Sequence, residues 1–235
     1  MPSGKYRHLF FDLDHTLWDF DANARATLEQ LHLDLRLPDK GIRDFDRFYE
    51  CYVAHNDKLW ARYRQGHIKQ DELRIKRMWL TLLDFQVADE ELCEELANQF
   101  LQLMPTRTRI FPDTIEVLTY LQEKGYGLHL ITNGFEDIQH MKLRVSGLDK
   151  FFRHVVTSEG SNSLKPQPEI FHYALDKAGA TVAESLMIGD ALDVDVAGAL
   201  NVGMDAVHVN YNGKPQVDVK PTYTITALRQ LEEFL

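Results

Sequence analysis

Asp12-Leu13-Asp14-His15-Thr16 follows directly on the apolar run Leu9-Phe10-Phe11, so two carboxylates leave the end of a predicted buried strand. Side chains two residues apart in a strand share a face, which sets Asp12 and Asp14 a few ångströms apart. Carboxylates that close raise each other's pKa unless positive charge intervenes. A hard divalent cation with oxygen ligands, Mg2+ above all, resolves that conflict and also holds a phosphate oxygen. The bland alternative is a pair of aspartates capping a turn or helix.

Three later places repeat the pattern. Leu128-His129-Leu130-Ile131 runs into Thr132-Asn133-Gly134, and Leu186-Met187-Ile188 runs into Gly189-Asp190 and on to Asp195. Between them Lys165 precedes Pro166-Gln167-Pro168. Ligands of open α/β sheets gather outside the carboxyl ends of the strands, so these distant residues are expected to converge.

The elements that must position them follow from periodicity. Between the first aspartates and Pro105, strand-like runs give way to helical spacing. Phe45, Phe48, Tyr49, Tyr52, Val53, Asn56, Leu59, Trp60 and Tyr63 make one stripe, Met78, Trp79, Leu82 and Leu83 a second, and Leu92, Leu96 and Phe100 a third. From Ile110 onward strands alternate with helices. Helices are predicted from Pro112-Asp113 to Gly125, Glu136 to Gly147, Pro168 to Gly179 and Asp193 to Asn201. Strands are predicted over Gly127–Thr132, His154–Ser158, Ser185–Asp190 and Asp205–Asn210. Such alternation demands a parallel sheet with right-handed crossovers. The expected architecture is an α/β, Rossmann-like parallel-sheet core, residues 1–17 and 105–235, with an inserted α-helical domain over 18–104.

In order and spacing these segments resemble the haloacid dehalogenase superfamily of phosphohydrolases. Asp12 to Thr16 is similar to its first motif, Thr132 to its second, Lys165 to its third, and Gly189-Asp190 with Asp195 to its fourth. The helical insert then resembles that superfamily's helical cap. The Phe11 to Phe20 segment, with Gly66-His67-Ile68 and Leu73-Arg74, is further similar to the pyrimidine 5'-nucleotidase branch that also accepts noncanonical nucleotides.

The resemblance implies an Mg2+-dependent phosphomonoesterase. A phosphomonoester repels nucleophiles by its own charge, so catalysis is mostly charge neutralisation and in-line positioning. Asp12 is expected as the nucleophile that forms an aspartyl-phosphate, and Asp14 as general acid and then general base. The Thr132 hydroxyl and the backbone N–H groups of Asn133 and Gly134 are expected to hold phosphate at a helix start, although Thr-Asn-Gly also reads as a plain turn. Lys165 is expected to place positive charge beside phosphate and Asp12. Asp12, the Asp14 backbone carbonyl and Asp190 are expected to hold the metal. Asp195 is expected to orient Lys165 or a metal-bound water, with a helix amino-terminal carboxylate as its alternative. Of the aromatics, Trp18 is the one expected to stack on a base. His15 falls at a variable position of the first motif and stays outside this set.

The expected substrate is a small phosphorylated metabolite, first of all a pyrimidine nucleoside monophosphate. Phosphoglycolate or a sugar phosphate is the alternative, as is a phosphosugar mutase. A dehalogenase would not need Asp14, and a binding-only protein would be expected to lack Asp12, Lys165 or Asp190. With 36 acidic against 26 basic residues the formal charge is −10. No Lys/Arg block tracks a nucleic-acid backbone, so long nucleic acid is not an expected partner. Cys51 and Cys93 lack metal-ligand spacing. No apolar run is long enough for a bilayer and Met1 to Arg7 carries no secretory pattern, so a cytoplasmic enzyme, monomer or homodimer, with no membrane partner is expected.

Overall fold

The structure is a computed structural model describing residues 4–213 and 219–235. By contacts the chain forms two compact units, Met1–Phe20 with Thr108–Leu235, and Asp21–Arg107. Strand β1 (His8–Phe11) is followed by helices α1 (Phe20–Asp34), α2 (Phe45–Arg64), α3 (Gln70–Leu83) and α4 (Glu90–Leu103). Then come α5 (Thr114–Glu123), β2 (Gly127–Thr132), α6 (Glu136–Ser146), β3 (His154–Thr157), a single turn α7 (Ser158–Ser161) and α8 (Pro168–Ala178). β4 (Ser185–Gly189), α9 (Ala197–Asn201), β5 (Asp205–Val209) and β6 (Tyr223–Ile225) complete the chain order.

The first unit is built on one six-stranded sheet, order β3-β2-β1-β4-β5-β6, with every pairing parallel. The expected α/β parallel-sheet core is therefore present. The apolar runs explain it: Leu9, Phe10, Phe11, Leu130, Ile131, Met187 and Ile188 are all fully buried, as strands covered on both faces must be. Phe10 anchors one face, packing in a cluster with Ile131, Ile170, Phe171, Met187 and Val196. In register, Phe11 is level with Leu130 of β2 and with Ile188 of β4. Strand order reverses about β1, so the next residue, Asp12, emerges at the topological switch point where such sheets bind ligands.

In the second unit the inward positions of the predicted stripes close a helical core: Phe48, Tyr52 and Leu59 from α2, Met78 and Leu82 from α3, Leu92, Leu96 and Phe100 from α4. Asp44 and Asp89 cap α2 and α4, accepting from the N–H groups of Arg47 and Leu92. Leu83, expected in a stripe, is exposed. One helix differs in kind. The segment predicted as a helix over Asp193–Asn201 begins as a π turn, Leu192–Val196, before α9. The wide turn carries an N–H of Val196 to the Ala191 carbonyl, while the Asp195 carboxylate takes the Ala191 N–H.

Candidate active site

Asp12 continues the edge of β1, its N–H bonded to the Ile188 carbonyl, and its side chain is buried. One carboxylate oxygen lies 2.5 Å from Lys165 Nζ. The same ammonium donates to the Ile131 carbonyl at 2.7 Å and pairs with Asp195 at 2.7 Å, so it meets two carboxylates and the end of β2. Lys165 is itself held from both sides by Asn133, whose side chain accepts from the Lys165 N–H at 2.7 Å and donates to its carbonyl at 2.9 Å.

Asp190, just beyond β4, accepts from the Thr16 hydroxyl at 3.0 Å, and its carbonyl is 3.0 Å from His208 Nε2. Carboxylate oxygens of Asp12, Asp190 and Asp195 all lie within 4.8 Å of one another. Three carboxylates around one ammonium leave two negative charges unbalanced. Burial pushes the Asp12 carboxyl well above the usual range; Lys165 opposes the shift and Asp195 and Asp190 add to it. Burial, with Asp195 beside it, likewise pushes Asp190 up to about 7. Burial alone would lower Lys165, but Asp12 and Asp195 outweigh it and hold the ammonium above its ordinary value. An all-oxygen donor set with excess negative charge fits a divalent cation such as Mg2+. Asp12 and Asp190 would hold it; the Asp195 carboxylate joins this cluster, whereas the Asp14 side chain does not.

Asp14 points to α6 instead. Its two oxygens are 2.6 and 2.9 Å from Lys142 Nζ, and Gln139 Nε2 donates at 3.0 Å. The charge conflict expected between Asp12 and Asp14 is thus met by two lysines, one for each carboxylate. Lys142 and Gln139 were missing from the sequence reading, because polar residues three apart on a helix ordinarily mark its solvated face. Here both are 1% exposed.

Thr132 closes β2, and its hydroxyl oxygen accepts from the Gly134 N–H at 3.1 Å. The Gly134 N–H, expected to meet phosphate, therefore already has a partner inside the loop. Gly134 is required for another reason: a Cβ there would fall 1.6 Å from Gln139 Nε2. Trp18 is the clearest correction. Expected as a base-stacking platform, it is fully buried, bridged to Ile110, with the Lys142 ammonium 4.4 Å from its ring centroid.

Residues 6–203 match the family model of haloacid dehalogenase-like hydrolases. The chain is 31% identical to the pyrimidine 5'-nucleotidase PynA of Streptococcus pneumoniae (98% of this chain, 95% of the relative). It is 30% identical to the pyrimidine 5'-nucleotidase YjjG of Escherichia coli (98% of each). Phosphatases of glyceraldehyde 3-phosphate and of phosphoglycolate match as well. Among solved structures, that of the HAD-hydrolase YfnB from Bacillus subtilis bound to magnesium superposes with a TM-score of 0.89 at 27% identity, covering 98% of both chains. No helix among the described residues is long and apolar enough to cross a membrane. The match across the sheet core and its aspartates places this chain in the family of haloacid dehalogenase-like hydrolases.

Proposed function

We propose that the protein is a divalent-cation-dependent phosphomonoesterase whose substrates are nucleoside 5'-monophosphates, pyrimidine nucleotides first. The observation that carries the reaction class is the buried Asp12 carboxylate, 2.5 Å from Lys165 and clustered with Asp190 and Asp195 at the switch point of the sheet. The pyrimidine preference draws its support from the two nucleotidase relatives.

Asp12 attacks phosphorus, forming an aspartyl-phosphate as the ester P–O bond breaks, and Asp14 gives a proton to the departing alkoxide. Asp14 then takes a proton from the water that attacks the phosphoenzyme, releasing inorganic phosphate and restoring Asp12. Thr132 donates its hydroxyl hydrogen to a phosphate oxygen. Lys165 offsets the Asp12 charge that would otherwise repel the substrate. Mg2+, which the Asp12 and Asp190 carboxylates and the Asp14 backbone carbonyl would hold, would supply the positive charge that this acidic site lacks.

Phosphate release from UMP, dTMP, AMP, glucose 6-phosphate and phosphoglycolate, measured side by side with Mg2+ and with excess chelator, tests the proposal. The expected result is the highest kcat/KM on UMP and dTMP, silence in chelator, recovery with Mg2+ and poor substitution by Ca2+, whose looser shell misplaces the nucleophile. Asp12→Asn should abolish turnover without unfolding the protein. A sugar phosphate or phosphoglycolate as best substrate refutes the nucleotide assignment; full activity in chelator or in Asp12→Asn refutes the reaction.

A further inference from the structure

Asp14 has a job that depends on where its oxygens point, and the residues that aim them belong to α6. We infer that Lys142, with Gln139, is the positioning device for Asp14 as it passes protons to and from the leaving-group oxygen. The inference rests on the proposed phosphomonoesterase reaction and adds residues to it.

Four observations carry it. Lys142 Nζ contacts both oxygens of Asp14, at 2.6 and 2.9 Å, which holds the carboxylate by its two oxygens rather than one. The side chain of Lys142 is 2% exposed and that of Asp14 23%, so the ammonium is enclosed while the carboxylate keeps a face open. Trp18 and Phe20 enclose the ammonium further, their ring centroids 4.4 and 5.6 Å from Nζ. Gln139 is turned by its bond to Asp14: its Nε2 donates at 3.0 Å, while its buried Oε1 has no donor among the described residues. Gly134 is then a glycine because any side chain there would expel Gln139.

A lysine that merely filled space under Trp18 would not need both oxygens of one carboxylate. Nor would a purely structural ion pair be expected to leave one partner enclosed and the other open. Lys142 touches no reacting atom in this scheme. It acts through Asp14, and Trp18 is the wall behind it.

Because p-nitrophenolate leaves without a proton and a nucleoside 5'-alkoxide does not, the test is the dependence of kcat/KM on the leaving group, read on p-nitrophenyl phosphate and UMP. This parameter reports the first phosphoryl transfer and is insensitive to hydrolysis of the phosphoenzyme. Lys142→Met is expected to lower kcat/KM on UMP by about 100-fold, the lower end of general acid–base effects, and on p-nitrophenyl phosphate by less than about tenfold. Asp14→Asn is expected to show the same asymmetry, and Asp14→Asn with Lys142→Met to lose nothing further, as for residues acting as one unit. Lys142→Arg, which keeps a two-point donor, should recover part of the loss. Thermal unfolding checks that each variant is folded. If Lys142→Met is not, Gln139→Leu carries the test, with a smaller loss of the same asymmetry expected. Equal losses on both esters in Lys142→Met or Gln139→Leu, or losses that add to those of Asp14→Asn, overturn the inference. Equal losses in Asp14→Asn itself instead remove the acid role from Asp14, and with it that step of the proposed reaction.

Discussion

Asp12 and Asp195 share one buried lysine, and the glycine beside them decides whether they can. A Cβ on Gly189 would stand 2.3 Å from an Asp195 oxygen and 2.6 Å from its Cβ, so Asp195 reaches Lys165 and the Ala191 N–H only across a bare backbone. Gly189→Ala is therefore expected to destabilise the fold by about 1–3 kcal/mol, as overpacking does, and to weaken the response to Mg2+. Urea unfolding with and without Mg2+ checks both; an unchanged midpoint would mean that Asp195 moves aside freely. Asp12, Thr132 and Asp190 were legible in the sequence because each follows an apolar run, and Lys165 by its place before Pro166-Gln167-Pro168. Their division of labour was not. Nothing in Gln139 or Lys142 distinguishes a buried polar pair from a solvated helix face, and nothing in Trp18 distinguishes a stacking ring from a buried one; burial is decided by residues that arrive from elsewhere in the chain.

Strands carry a second set of polar groups away from the aspartates, with a buried histidine, His129, at its centre. His8 of β1, His129 of β2 and His154 of β3 line up across the sheet: His8 Nδ1 is 3.0 Å from His129 Nε2, and the rings of His129 and His154 stack at 5.4 Å. Burial, with His8, His154 and Arg153 adding to it, pushes His129 down to about 3. The native state thus holds His129 neutral where the unfolded chain, with an ordinary histidine pKa of about 6.5, binds a proton. Stability from this group is complete above that value and is lost as pH falls toward 3. Between pH 6.5 and 5 the loss amounts to at most about 2 kcal/mol. Comparing urea midpoints of the native protein and His129→Leu at pH 7 and pH 5 isolates it, since carboxylates titrating in the same window are common to both. Equal pH dependence would exclude His129. At this scale β2 matches its predicted span, Gly127–Thr132, because six buried residues leave little choice. β6 went unread: it has three residues, only one of them buried, and its register comes from β5. The π turn before α9 was invisible for a related reason, since it answers to the bonds of Asp195.

At the scale of the whole chain, the two segments of the sheet unit that flank residues 21–107 are bonded to each other in a neck. Trp18 bridges Ile110 in antiparallel fashion, the Asp19 N–H meets the Arg109 carbonyl at 3.1 Å, and the Phe111 N–H meets the Leu17 carbonyl at 2.9 Å. Both sides of this neck belong to the sheet unit. Replacing residues 21–107 by a short glycine-containing turn should therefore leave a sheet unit that unfolds cooperatively and is still stabilised by Mg2+, measured as a concentration-dependent rise in melting temperature. Loss of cooperative unfolding would show that the sheet depends on the insert.

The same neck governs how the chain finds its fold. β1 is the central strand and is synthesised first, yet its two neighbours, β2 and β4, begin only at Gly127 and Ser185. Closing loops of that length is slow and leaves Leu9-Phe10-Phe11 waiting for partners. An insert that folds by itself and brings Asp19 to Arg109 would turn the first of those closures into a local event, in which each doubling of the insert adds only about 0.6 kcal/mol. Asp190 still comes late, after β4, so a nascent chain carries Asp12 long before it carries the Asp190 and Asp195 carboxylates that cluster with it. A chain cut short before β4 then carries Asp12 without its clustered carboxylates, and the site is assembled only once β4 has joined the sheet.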